Sequence, residues 1–94
     1  MPPSLVAACD RNDKIRNEAK DGDLTSYGDD ISQIYQDAPI SVPTVHEAAQ
    51  DLHNAWSLAA TNKGQFTATA GLLSASIRLS TACIKAGWAV PAGS

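Results

Sequence analysis

From Leu52 to the C-terminus the chain has no acidic residue. All ten carboxylates, Asp10, Asp13, Glu18, Asp21, Asp23, Asp29, Asp30, Asp37, Glu47 and Asp51, lie before that point. Against them the same stretch sets only Arg11, Lys14, Arg16 and Lys20, a net of −6, while Lys63, Arg78 and Lys85 give the remainder a net of +3. A split of this kind presents two surfaces of different potential, each steering partners of opposite sign.

Other scarcities narrow the function. No apolar run approaches the roughly 18 residues a membrane-spanning helix needs, so no membrane span is expected. Three cations across the second half of a chain of net charge −3 cannot neutralise a row of phosphates, which excludes direct nucleic acid binding as the expectation. The two cysteines, Cys9 and Cys83, are too far apart for a metal knuckle or a redox pair. They read as reduced thiols serving as small apolar side chains; a disulfide joining the first helix to the last is the alternative, and it requires an oxidising compartment. With no signal or spanning segment visible, the chain is expected to be a soluble cytoplasmic protein.

Catalytic groups are equally sparse. His46 and His53 stand seven apart on one helix, about 10 Å along its axis, too far to share a metal ion held at about 2 Å. The stretch from Asp21 to Asp30 resembles a calcium loop in its oxygen spacing, but Ser26 replaces the turn glycine and Ser32 the bidentate glutamate. Asp29 and Asp30 are neighbours, and adjacent helical residues point to different faces, so they cannot flank one substrate bond. No nucleophile elbow or phosphate loop accompanies the serines and threonines. The expectation is a non-enzymatic protein with no cofactor, no metal and no small-molecule site.

What the sequence does contain is helical patterning. The turn signals predict a single all-α, four-helix bundle-like domain over 1–94, with acidic helices at about 4–20 and 24–38. A connector with Pro39 and Pro43 follows at 39–43, then a helical hairpin at about 44–62 and 65–87. Asp23 or Ser26 is placed to cap the second helix, and Thr44 with Glu47 forms a capping-box pattern at the start of the third.

The last helix is expected to be the longest and to be packed on two faces. On a helical wheel Phe66, Ala70, Leu73, Ile77, Ile84 and Trp88 gather on one side, and Leu72, Leu79, Cys83 and Ala86 on another. Arg78 with Lys85 fills one strip between them, and Thr69, Ser76, Ser80 and Gly87 the other. A helix with two apolar faces is either central to its bundle or buries one face and offers the second to a partner.

These features point to a protein-binding module, a structural or adaptor subunit that associates with a partner or with itself through its C-terminal helix. The candidate contact residues are Leu72, Leu79, Cys83, Arg78 and Lys85, with Leu58 on the preceding helix. Leu73, Ile77 and Ile84 are then the core set. The alternative is a small acidic inhibitor or regulator. Its patch of Asp21, Asp23, Asp29, Asp30 and Asp37 would occupy a basic surface of a nucleic-acid-handling protein.

Overall fold

The computed structural model describes residues 1–19, 23–62 and 65–91, and among these there are four helices and no strand. They are α1 (Pro3–Glu18), α2 (Gly28–Asp37), α3 (Pro43–Thr61) and α4 (Phe66–Lys85), the last being the longest at 20 residues. Each helix lies against its neighbour in sequence, and α4 returns to α1, which closes a four-helix ring. The expected all-α bundle is the fold.

Prolines set two of the helix starts. Pro3 and Pro43 occupy the first turn of α1 and α3, where the absent N–H would have no intrahelical acceptor and the fixed φ suits the helix. Pro43 therefore moves the start of α3 ahead of the capping-box pattern. Thr44 is already helical, Val42 holds the cap position, and no side chain caps it.

The second helix also starts later than its periodicity suggests. Asp23 Oδ1 accepts hydrogen bonds from both the amide (3.0 Å) and the hydroxyl (2.6 Å) of Thr25, and the Tyr27 amide donates to Leu24 O at 3.1 Å. These short-range bonds compete with the helix and hold 23–27 as a turn. Leu24 nevertheless reaches the core. Gly22 and Gly64, read from the sequence as stop signals, lie outside the described residues.

Helix α4 ends as a Schellman motif. Gly87, at φ +104°, donates to Ile84 O at 3.0 Å, and Trp88 donates to Cys83 O at 3.0 Å, satisfying carbonyls that the helix leaves free. The turn takes Trp88 off the helix, so it does not continue the Ile77–Ile84 row. It is buried instead, with Nε1 donating to Asp10 Oδ1 on α1 at 2.8 Å.

The core is built from Leu5 and Ile15 of α1, Leu24, Ile31 and Ile34 around α2, Val45 and Leu52 of α3, and Leu72 and Leu79 of α4. Two features fasten α1 to α4. Cys9 and Cys83 form a disulfide across a sequence separation of 74, which corrects the expectation of reduced thiols: wheel positions alone could not show that the two residues face each other. Beside it the fully buried Asn12 donates from Nδ2 to Ser76 O (3.0 Å) and Ser80 Oγ (3.1 Å), and its Oδ1 accepts from Ser76 Oγ at 2.7 Å. The strip of small hydroxyl residues thus lets α1 approach closely, and every polar atom of the Asn12 amide finds a partner.

Candidate interaction surface

The buried side of α4 holds Leu72, Ala75, Ser76, Leu79, Ser80 and Cys83. Leu72, Leu79 and Cys83, assigned from the sequence to a partner, are therefore core residues, and that assignment is reversed. The physical reason lies on α1: the Cys9 disulfide and the Asn12 hydrogen bonds fix the rotation of α4 about its axis, and this turns the Leu72–Leu79 row inward.

The rotation that buries one row exposes the other. Phe66 is 84% exposed, Ile77 49% and Ile84 53%, with Leu73 half-buried beside them. Counting 100° per residue, these four fall within about 40° of one another, so they form a row along the helix. Isolated exposed apolar residues are ordinary on any surface, whereas these three large ones are aligned along one helix.

Arg78 and Lys85 are both exposed, about 100° around the helix from Ile77 and Ile84. Arg78 Nη1 donates to Ser74 Oγ at 3.0 Å, and among the described residues neither cation forms an ion pair. Their side of α4 faces a groove of about 470 Å³ lined by Val42, Thr44, Ala82 and Ala86 as well as by the two cations. Leu58, at 59% exposed, stands on the outward side of α3.

Asp30 Oδ1 pairs with Arg11 Nη1 at 2.7 Å, joining α2 to α1. Asp37 Oδ1 accepts from Gln33 Nε2 at 3.0 Å, and Asp23 closes the turn before α2, where the Thr25 hydroxyl and amide hold its carboxyl below the ordinary carboxylate range. Asp29 is exposed at the start of α2, where the positive end of the helix dipole favours it. Asp21 lies outside the described residues. So of the expected acidic patch the structure places four members, Asp23 and Asp37 with local partners and Asp30 paired across to α1.

Both histidines are built into the α2–α3 contact. His46 Nδ1 donates to Ala38 O at 3.1 Å. The Tyr35 ring lies 5.6 Å from that of His46 and 5.4 Å from that of His53, which in turn is 6.2 Å from Trp56. Trp56 Nε1 donates to Thr25 O at 2.9 Å, and its ring lies flat enough on Gly28 that a Cβ there would come within 2.8 Å of Cε2. Among the described residues no three histidine, cysteine, aspartate or glutamate side chains come together as a metal site would require.

The residues that sequence reasoning missed as surface are Phe66, Ile77 and Ile84. They carried the necessary signal, a second apolar row, but the row chosen for the partner was the wrong one. No protein-family model, curated protein sequence or solved structure matches the chain.

Proposed function

We propose that the chain is a non-enzymatic protein-binding module, a structural or adaptor subunit that assembles through the outward side of α4. The observation that carries this reading is the exposed row of Phe66, Ile77 and Ile84 on a helix whose opposite side is fixed by the core. Covering a row of this size is worth several kcal/mol, since each large apolar side chain contributes about 1.5–3 kcal/mol when fully buried. Rigid backing strengthens the case: a face already held in one rotation loses little conformational freedom when a partner covers it.

The disulfide supports a compartment other than the cytoplasm expected from the sequence. Glutathione and thioredoxin keep cytosolic thiols reduced, so a protein that relies on Cys9–Cys83 works where thiols are oxidised, outside the cytoplasm or on its far side. No helix among the described residues is long and apolar enough to cross a membrane.

The test uses the double variant Ile77→Ser, Ile84→Ser expressed in the native host beside the parent. On size-exclusion chromatography of the extract, the parent should elute in a species larger than the chain alone and the variant as the free chain, with the same thermal midpoint for both purified proteins. Equal retention of parent and variant in the larger species would remove α4 as the assembling surface.

A further inference from the structure

The α3–α4 hairpin carries a second surface, and its charges are arranged in two rows. Glu47, Asp51 and Leu58 are exposed on α3, and at 100° per residue they lie within about 40° of one another. On α4 the exposed residues Thr67, Gly71, Ser74, Arg78 and Lys85 form the corresponding row, within about 60°. One row is acidic with a leucine at its end; the other is basic with small residues at its end.

The two rows are in register. Ala59 and Ala60 share a depression with Phe66 and Thr69 near the turn, while Thr44 shares the groove with Thr81, Ala82 and Lys85 at the far end. Interpolating between those two levels, Glu47 and Asp51 fall beside the Ser76–Ser80 stretch and so flank the level of Arg78. Leu58 falls near Thr69, close to Gly71, where a Cβ would meet nothing within 4 Å.

We propose that this face pairs with the same face of a second copy of the chain, about a two-fold axis parallel to the hairpin. Such an axis lays α3 of each copy over α4 of the other at unchanged levels. Glu47 and Asp51 then face the Arg78 of the other copy, and Leu58 faces the open space over Gly71. The other face-to-face arrangement, with the axis across the hairpin, stacks α3 on α3 and α4 on α4 with their levels reversed, so that Glu47 and Asp51 meet the Leu58 end of the other α3 and no acid faces a base. Charge complementarity therefore selects one symmetry and one occupant. A different partner is disfavoured as occupant because this chain already supplies both halves of the match, in the right register.

The surface is distinct from the Phe66–Ile77–Ile84 row, which lies about 110° further round α4. The two surfaces are consequently separable by mutation. The residues involved are exposed, so their substitution leaves the core untouched.

The experiment is sedimentation equilibrium on the purified, oxidised chain at concentrations up to about 0.5 mM, where associations of millimolar strength or better are visible. The parent should dimerise, and the dimer should weaken at least tenfold between about 0.05 M and 0.5 M salt as the charges are screened. Chains carrying Glu47→Arg with Asp51→Arg, and separately Arg78→Glu with Lys85→Glu, should each be monomeric. Mixed in equal amounts they should form a heterodimer, because the first then presents two basic rows and the second two acidic ones. Leu58→Ser should weaken the parent dimer at least tenfold, since the two-fold removes a leucine contact from each copy. A parent that stays monomeric throughout overturns the proposal. So does a dimer that ignores salt and both charge swaps; if that dimer is lost in Ile77→Ser, Ile84→Ser, the apolar row of α4 is the self-association site, and the assembly reading stands without this surface.

Discussion

Gly28 shows how a single residue fixes the approach of two helices. It opens α2, and the Trp56 ring from α3 rests on its Cα side, anchored through Nε1 to Thr25 O. Alanine at this position improves helix propensity by at most about 1 kcal/mol, and less in a first turn. The added methyl meets the body of the indole rather than the end of a flexible chain, and overpacking of that kind costs about 1–3 kcal/mol. The clash wins, so Gly28→Ala is expected to lower stability by about 1–2 kcal/mol in urea unfolding and to shift the Trp56 fluorescence. An unchanged or raised midpoint would mean that the indole has room to move. None of this was legible in the sequence, where Gly28 falls inside the helix expected at about 24–38, because the contact joins positions 28 and 56 through space. The same holds for Asp23: its side chain was expected to cap a helix beginning at Leu24, whereas it holds a turn and delays the helix to Gly28. Local hydrogen bonds of comparable strength favour either outcome, and tertiary contacts decide.

Helix α4 carries the main lesson at the scale of an element. Its existence, its approximate limits and its two apolar rows follow from periodicity, and Arg78 and Lys85 on it, like Leu58 on α3, are exposed. Which row turns inward does not follow. Leu72, Leu79 and Cys83 are about as apolar as Leu73, Ile77 and Ile84, so the helix alone offers no preference. The choice is made by α1, through Cys9 and Asn12, more than sixty residues away in the chain. The consequence for mutation is sharp. Leu79→Ala removes a fully buried side chain and should cost about 3 kcal/mol. Ile77→Ala removes one that is half in water, and should cost less than about 1 kcal/mol. Chemical denaturation of the two variants under identical oxidised conditions checks the assignment. Equal losses would mean that the Ile77 row is covered in the isolated chain as well as the Leu79 row.

For the whole molecule the governing constraint is size. A chain of 94 residues buries only about 60–65% of its unfolded surface, and net stabilities of a few kcal/mol are usual at that length. Helix α1 is the least apolar contributor: its buried set includes Asn12 and Asp13 beside Leu5, Ala8, Cys9 and Ile15. Polar groups buried with their partners specify position but add little net free energy. The disulfide makes up the difference by closing a loop of 74 residues in the unfolded chain, worth about 4 kcal/mol on the chain-entropy account. That figure is comparable with the entire stability of such a domain, so Cys9–Cys83 determines whether α1 stays docked. Reduction, or Cys9→Ser with Cys83→Ser, should therefore lower Tm by about 15 °C or more, given that 1 kcal/mol moves a domain of this size by about 4–8 °C. Hydrogen exchange should show protection lost first in α1, while the α3–α4 hairpin, whose contact relies on Val45, Leu52, Leu72 and Leu79, persists longer. A reduced chain melting within a few degrees of the oxidised one would show that the four helices hold without the bond, and the argument for an oxidising compartment would lose its energetic basis. The large shift, in contrast, would tie the proposed surface to redox state: with α1 released, α4 loses one of the two neighbouring helices that hold its Phe66–Ile77–Ile84 row outward.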